Sequence, residues 1–314
     1  MALIVAWVLT GALLYLPTSA WGQIQEQRLK SFGFASQSGG MPNSLVLGAD
    51  GALYGTTTGG GSNSVGTIFR LNPDGTGYVQ LHSFGGDATD GSVPTGLIQG
   101  IDGSLFGTTS EGGDLNGGTV FRLNTNGASY RVLYSFGGDP DGSQPQGLLQ
   151  AADGWLYGTC KSGGSTWNGK GTVFKLAATG AGFSIIWEFV NPAVEGANPE
   201  GALVQGRDGA LYGTTCYGGA NSVGTVFKLS TNGATQSVLH SFSSAGADGC
   251  YPVAGLVQGQ DGALYGTASQ GGTNDHGIVF AYQLQQFLRR YAITVIHLSR
   301  LMQNSLSVFL KSIC

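Results

Sequence analysis

The chain repeats one short sequence five times, and this repetition constrains its fold more than any other feature. The letters DGALYGTT occupy residues 50–57 and return unchanged at 208–215, with near copies at 102–109, 153–160 and 261–268. The Asp-Gly pairs that open these copies are 52, 51, 55 and 53 residues apart. Such a period is typical of propellers, solenoids and other repeat arrays. We therefore interpret the chain as five related units.

Each unit contains four short apolar segments that are separated by turn residues. In the second unit they cover residues 96–100, 104–109, 118–123 and 130–136. Segments of this length are typical β-strands, and the Asp-Gly pair between the first two favours a type I′ hairpin turn. Four antiparallel strands per unit predict one blade of a β-propeller. A solenoid is the alternative, but its rungs are usually shorter.

Two features of the repeat have a predicted structural role. We expect Leu53 and Tyr54, with their equivalents, to pack between blades. We expect Gly55 and its equivalents to let backbones approach closely near the axis of the propeller.

The first and last units predict how the propeller closes. An additional segment at 27–32 resembles a fourth strand, whereas the fifth unit stops after its third strand at 277–283. Pairing of these two segments would give five whole blades and would tie the two ends together. We therefore predict an all-β, five-bladed propeller over residues 23–283, closed by its N-terminal strand, and a monomer.

Composition excludes several classes of function. Glycine accounts for 56 of 314 residues, and hydrophobic residues reach 41%, which is too many for a disordered chain. All 18 acidic residues precede position 284, while four of the 14 Lys and Arg residues follow it, so the preceding part has a formal charge of −8. Nucleic-acid binding relies on basic patches, so we expect no nucleic-acid partner.

The two ends of the chain differ from the repeats. Residues 1–22 read as a signal peptide, with an apolar stretch at 3–16 and a small-x-small cleavage site. An uncleaved anchor is the alternative, although the apolar stretch is shorter than the ~20 residues of a membrane span. We expect an exported protein (secreted, periplasmic or at the cell surface) without a transmembrane span in its mature form. The tail at 284–314 has no glycine and no acid. It could be a basic amphipathic helix on a membrane or a segment unrelated to the domain.

The repeated unit resembles the GloVer (Gloeo–Verruco) tandem repeat of exported bacterial proteins. The shared pattern runs P-x-x-G-L-V-x-G-x-D-G-x-L-Y-G-T-T and continues to G-T-V-F-K-L, and it spans 42–71, 94–123, 145–176, 199–229 and 252–280. The resemblance implies a surface or secreted β-propeller-like protein with no assigned enzymatic activity. It supplies no catalytic residues.

Functional residues should lie where the five units differ. Two loops per unit are expected on the same face: one between the second and third strands, and one that leads into the next blade. The latter carries an acid before glycine, at Asp90, Asp141, Glu195 and Asp248. A ring of carboxylates around one mouth of the channel could bind calcium or sugar hydroxyls, or each acid could simply close its own turn. In the former loops, Trp167 could stack on a sugar ring or cover an edge, and His276 is a lone histidine.

Histidines and cysteines give weaker signals. His82 and His240 fall inside repeat strands, where packing accounts for them. No CxxC pair occurs, so zinc and thioredoxin-like sites have no support. Cys216 and Cys250 could form a disulfide in an exported protein, or they could remain free thiols.

Two hypotheses of function follow. The first is a non-enzymatic binding or scaffold propeller that uses its loop-rich face, with a polysaccharide, cell-surface or protein ligand. The alternative is a carbohydrate-active enzyme, a glycosidase or lyase, that uses the rim carboxylates as acid and base. Glycoside hydrolysis would need two carboxyl groups roughly 5–9.5 Å apart, one of them with a raised pKa. We predict no cofactor apart from the calcium that the acids could bind.

Overall fold

The regular structure consists almost entirely of β-strands. The computed structural model describes residues 26–33, 39–165, 169–245 and 248–284. Sheets 1 to 4 each contain four strands, joined antiparallel in chain order. Sheet 1 consists of β1 (Gly40–Leu47), β2 (Leu53–Gly59), β3 (Thr67–Leu71) and β4 (Val79–Ser83), and sheet 2 consists of β5 (Gly91–Gln99), β6 (Leu105–Gly112), β7 (Thr119–Leu123) and β8 (Arg131–Ser135). Sheet 3 consists of β9 (Ser143–Gln150), β10 (Leu156–Ser162), β11 (Thr172–Leu176) and β12 (Ser184–Glu188). Sheet 4 consists of β13 (Val204–Gln205), β14 (Leu211–Thr215), β15 (Thr225–Leu229) and β16 (Gln236–Ser241). This arrangement confirms the all-β prediction.

The fifth unit is less regular than the others. Sheet 5 has three strands. A separate two-stranded ribbon has one strand before sheet 5 in the chain and the other between its second and third strands. The ribbon is β17 (Gly249–Cys250) with β20 (Gln270–Gly271), and sheet 5 is β18 (Val257–Gln258), β19 (Leu264–Ala268) and β21 (Ile278–Tyr282). The helical content of the described residues is a single turn, α1 (Pro192–Glu195). None of the helical structure in the described ranges is long or apolar enough to span a membrane.

The turn between the first and second strands depends on the aspartate side chain. The Gly51 N–H donates to the Gly48 carbonyl at 2.9 Å, and Gly51 is left-handed whereas Asp50 is not. This is a type I turn with a glycine bulge, so the predicted type I′ turn is wrong. The Asp50 carboxylate accepts hydrogen bonds from the Ala52 N–H (3.1 Å) and the Tyr54 hydroxyl (2.8 Å). The tyrosine bond recurs at Tyr157–Asp153, Tyr212–Asp208 and Tyr265–Asp261.

Successive sheets pack face to face through a repeated set of side chains. Tyr54 and Phe84 of sheet 1 share a fully buried cluster with Leu105 and Phe121 of sheet 2. The rings of Phe84 and Phe121 lie 5.3 Å apart. The same contact recurs in Phe136–Phe174 (5.0 Å), Phe189–Phe227 (5.4 Å) and Phe242–Phe280 (5.0 Å). The predicted packing of the Leu-Tyr positions between units is therefore confirmed.

The first strand of each sheet lies innermost. Strand β5 contacts both β1 and β9 across the sheet boundaries, and the Thr95 hydroxyl of β5 donates to the Gln146 carbonyl of β9 at 2.8 Å. The fourth strands pair with the third strands on the opposite side of each sheet, so they are outermost. The first and second strands of each sheet are antiparallel, so the start of the first strand lies beside the end of the second. The loop before each first strand and the loop after each second strand therefore lie on one face, which we call the loop-rich face.

The glycine in each second strand makes room for an aromatic ring. A Cβ atom on Gly213 would lie 2.6 Å from Cζ of Phe227 and 2.8 Å from Cδ2 of Leu203. Gly55 and Gly266 face Phe69 and Phe280 in the same way. The predicted approach of another backbone is also present at Gly55, where the added Cβ would lie 2.7 Å from the Ser44 carbonyl of the first strand. The phenylalanine of the third strand was not predicted.

The N-terminal segment lies on sheet 1 and not in a strand ladder. The Phe32 ring is 5.1 Å from Phe69. Phe84, which follows the fourth strand of sheet 1, contacts Phe121 of sheet 2 in the same way. Residues 26–33 form no strand, and β21 pairs only with β19 within the described ranges. The predicted pairing of 27–32 with 277–283 is thus absent from the described structure. The predicted signal peptide at 1–22 and residues 285–314 of the tail lie outside the described residues.

Replacement of Gly213 with Ala should destabilise the protein because the added methyl group overlaps the Phe227 ring. We expect a loss of about 1–3 kcal/mol in the free energy of unfolding, measured by urea denaturation. Gly86→Ala is the control, because its nearest atom within 4 Å is Asp90 Oδ2 at 3.9 Å. Equal effects of both substitutions, or no relief from an additional Phe227→Leu, would contradict the packing account.

Candidate functional site

The predicted carboxylates lie toward the outer edge of the sheets and do not converge. Asp90 Oδ2 is 3.1 Å from His82 Nε2, and Asp248 Oδ2 is 3.1 Å from His240 Nε2. The hydroxyl of Tyr134 donates to Asp141 at 2.6 Å. Each of these partners belongs to an outermost strand. Each of these acids therefore precedes the first strand of the next sheet and is held separately by a side chain near an outer strand.

Asp90 is the most enclosed of these acids. Its Oδ1 accepts hydrogen bonds from the Tyr130 hydroxyl (2.5 Å) and the Gly91 N–H (2.8 Å), and its Oδ2 accepts one from the Gly86 N–H (3.2 Å) in addition to its contact with His82. Burial alone would raise the pKa of Asp90, but the hydrogen bonds from His82 and Tyr130 outweigh it and lower the pKa. A carboxyl group held in this way is suited to remaining ionised, not to donating a proton.

The fourth acid has a different environment. Glu195 ends α1 and its Oε2 accepts a hydrogen bond from the Val190 N–H at 3.3 Å. Trp187 stands on β12 where the other sheets have His82, Tyr134 or His240. The indole N–H of Trp187 is buried and has no hydrogen-bond partner, so this unit lacks the bond between an outer strand and its acid.

The remaining candidates are not brought together with the acids. His276 is exposed in the loop before β21, and Trp167 lies outside the described residues. Cys216 and Cys250 are both buried and form no disulfide in this structure. Burial raises the pKa of Cys216 to about 11, which makes it a poor nucleophile at neutral pH.

A cavity of about 590 Å³ lies beside Asp90, between the outer parts of sheets 1 and 2. Its lining includes His82, Asp87, Asp114, Tyr130 and Arg131. Within the described ranges, no three His, Cys, Asp or Glu side chains lie close enough together to bind a metal ion. The contacts of His82 with Asp90 and of His240 with Asp248 were not predicted from the sequence. Each histidine nevertheless precedes its acid by eight residues.

A second group of residues lies at the start of the innermost strands. Five equivalent residues, each followed by proline, adopt a left-handed backbone conformation with φ of 55° or 56°. They are Met41, Val93, Gln144, Asn198 and Tyr251. We call these five residues the axial rim, because they lie at the start of the first strands, which are on the inner side of the sheets, and on the loop-rich face.

Hydrogen bonds from the preceding sheet hold this backbone in place. The N–H groups of Val93, Gln144 and Tyr251 donate to the carbonyls of Val65, Gly117 and Val223, each at 2.9 Å. Asn198 donates to the Lys170 carbonyl at 2.6 Å. Left-handed backbone is costly for a β-branched residue such as Val93, so the conformation is imposed by the surrounding structure. The rim therefore has one backbone geometry and five different side chains.

The side of the rim formed by sheets 3 to 5 is polar and aromatic. Lys161 Nζ is 3.0 Å from Glu200 Oε1, and the Asn198 side-chain amide donates to the Lys161 carbonyl at 3.0 Å. The Tyr217 ring lies 5.5 Å from the Tyr251 ring, edge to face. Tyr217 is exposed. This side presents aromatic and amide groups to solvent, whereas the side formed by sheets 1 and 2 presents Met41 and Val93.

Comparison with solved structures identifies the class of fold. The structure of a nidogen/laminin complex matches with a TM-score of 0.51 and 16% identity over 78% of this chain and 81% of that chain. A putative gluconolactonase matches with a TM-score of 0.51 and 17% identity over 83% and 81%. The extracellular domain of a putative one-component system from B. thetaiotaomicron has a TM-score of 0.54 and 9% identity, over 83% of this chain and 29% of that chain. The protein is thus a repeat protein with a β-propeller-like fold.

The sequence profile that matches the chain is that of the Gloeobacter/Verrucomicrobia repeat, over residues 14–169 and 166–298. The chain belongs to this family, as its repeated motif indicated. No curated protein matches the sequence.

Replacement of Tyr130 with Phe should destabilise the folded protein, because it removes the hydrogen bond from the Tyr130 hydroxyl to Asp90. We expect a loss of about 1–3 kcal/mol in the free energy of unfolding at neutral pH, because a hydrogen bond to a charged group is lost. The folded pKa of Asp90 is lowered, so its stabilisation is complete above the unfolded pKa of about 4 and disappears as the pH falls through the folded pKa. The cost of Tyr130→Phe should therefore shrink in acid. In an Asp90→Asn background the cost should be smaller at every pH, and an unchanged cost would contradict the assignment.

Calcium should leave the melting temperature of the full chain unchanged relative to EDTA. The three acids bound by His82, Tyr134 and His240 are hydrogen-bonded separately, and calcium requires several clustered oxygen ligands. Thermal unfolding with calcium and with EDTA measures this directly. A rise in the midpoint that disappears in the Asp90→Asn, Asp141→Asn and Asp248→Asn variants would restore the predicted calcium site.

Proposed function

We propose that this protein is an exported, non-enzymatic binding propeller of five blades, and that it binds a polysaccharide at the axial rim. The observation that carries the proposal is the rim itself, where five residues of one backbone geometry have five different side chains. Repetition explains the backbone, but it does not explain the side chains. Specific binding is the usual use of such variable positions on a rigid scaffold.

The chemistry of the rim favours a sugar ligand. Tyr217 and Tyr251 offer aromatic surface that can stack on a pyranose ring. Gln144 and Asn198 offer amide groups that can exchange hydrogen bonds with hydroxyl groups. These residues belong to sheets 3, 4 and 5, so they border one continuous part of the rim.

The state of Asp90 favours binding over hydrolysis. The similar folds include both a putative gluconolactonase and a chain of a nidogen/laminin complex, so the fold supports either class of function. A glycosidase needs an acid with a raised pKa, whereas the hydrogen bonds around Asp90 lower its pKa. Export is supported by the apolar N-terminal sequence and by the extracellular origin of one similar structure.

A glycan array probed with the full chain tests the proposal. For a glycan that binds, Tyr217→Ala and Tyr251→Ala should each weaken the affinity by about 5- to 10-fold, which corresponds to the loss of one aromatic contact. The control is Ile101→Ala, an exposed residue in a turn on the opposite face. Affinity that survives both tyrosine substitutions but falls with Asp87→Ala and Asp114→Ala would instead assign the ligand to the cavity beside Asp90.

A further inference from the structure

Sheet 1 exposes an apolar position that is buried in every other sheet. Leu45 is 62% exposed, although the equivalent leucines at 97, 148, 203 and 256 are only 4–6% exposed. Those four leucines pack against the preceding sheet. No described strand occupies that place beside sheet 1. Leu47 is also exposed, and it stands where the other sheets have a glutamine that accepts a backbone N–H of the preceding sheet.

Sheet 5 exposes the complementary position. Val279 is 79% exposed, whereas Ile68, Val120, Val173 and Val226 are fully buried against the next sheet. Thr267 of β19 is exposed as well. In sheets 3 and 4 the equivalent Thr159 and Thr214 hydroxyls donate to the Gly201 and Ala254 carbonyls, just before the first strand of the following sheet, at 3.2 Å and 3.1 Å. Sheet 5 therefore has the groups of an interface but no following sheet within the described residues.

One chain thus carries both halves of an interface that it builds four times internally. We propose that a second copy of this chain completes it: sheet 5 of one copy packs on sheet 1 of the next. The proposal differs from the closed, monomeric ring that we expected from the sequence, because sheets 1 and 5 of one copy would meet neighbouring copies and not each other. It does not depend on which ligand binds the rim residues of sheets 3 to 5.

The N-terminal segment supports a second copy as the occupant. Phe32 covers Phe69 in the manner of a residue after a fourth strand, and the Leu29 carbonyl lies 3.0 Å from a Cβ built on Gly75. The Leu81 carbonyl takes the same position beside Gly127. Residues 26–33 are therefore seated on sheet 1 as the fourth strand of a preceding sheet, and sheet 5 lacks a fourth strand among the described residues.

The groove beside this segment matches the missing part. It has a volume of about 390 Å³ and is lined by Phe32, Leu45, Leu53, Phe69 and Leu71, among others. Docked sheet 5 of a second copy would fill the groove with its first and second strands. Strand β21, which is an edge strand among the described residues, would then lie beside residues 26–33 and gain a partner.

Such an interface is heterologous, because sheet 5 of one copy meets sheet 1 of another. Each unmodified copy retains one free half after a first contact, so association should continue beyond a dimer as the protein concentration rises. A variant with one disabled half should not associate with itself. Mixed with a variant in which the other half is disabled, it should form a dimer and nothing larger.

Sedimentation velocity of the full chain and of two variants tests the proposal. Leu45→Glu disables the sheet 1 half and Val279→Glu disables the sheet 5 half, and both sites are exposed, so the fold should persist. Each variant alone should be a monomer, with association weakened more than about tenfold by the charge placed in an apolar contact. A mixture of the two should form a 1:1 dimer through the intact halves, and Ile101→Glu should associate like the unmodified chain.

Two results would overturn the proposal. The first is an unmodified chain that is monomeric at every concentration, with melting temperatures lowered in both variants but not in Ile101→Glu. This result would assign the two halves to each other within one chain, in a closed ring. The second is association that persists unchanged in both variants, which would place the interface elsewhere.

Discussion

The rest of the structure depends on a contact between two phenylalanines of neighbouring sheets. One follows the fourth strand of a sheet, and the other lies on the third strand of the following sheet. This contact joins Phe84 to Phe121 and recurs at each of the following boundaries. The contact requires a glycine beneath the ring of the third-strand phenylalanine, and it places the Leu-Tyr pair of the second strand between sheets. Because each sheet touches only its neighbours, stability accumulates boundary by boundary, as in other repeat proteins. The first and last sheets gain the least from it.

Much of this architecture could be predicted because its signals are local. Strand positions in the second unit agree with the structure to within a few residues, since apolar segments and Gly-containing turns alternate along the sequence. The turn type could not be predicted in the same way. Asp50 accepts bonds from Ala52 and Tyr54, and this use of its side chain stabilises a type I turn where the residue pair alone favours type I′.

The candidate sites were predicted less well, because they depend on contacts between units. The acids at 90, 141 and 248 were found as residues before glycine, but their partners on the outer strands became visible only in the fold. The axial rim was missed altogether. A residue before proline reads as an extended loop, whereas Val93 and Tyr251 are left-handed because a carbonyl of the neighbouring sheet holds their N–H groups. Closure was also not determined by the resemblance of residues 27–32 to a fourth strand, because the predicted pairing with 277–283 depends on where sheets 1 and 5 lie, and no local sequence signal encodes that.

The backbone of the axial rim has a consequence for how such proteins can diversify. Its left-handed geometry is maintained at four of the five positions by a main-chain hydrogen bond to the neighbouring sheet, not by the side chain that happens to be present. Methionine, valine, glutamine, asparagine and tyrosine already occupy it within a single chain. New side chains can therefore appear at this surface by single substitutions without altering the scaffold beneath them. Duplication of a unit would supply a further variable position each time, so that selection for a new ligand and selection for a stable fold act on separate residues.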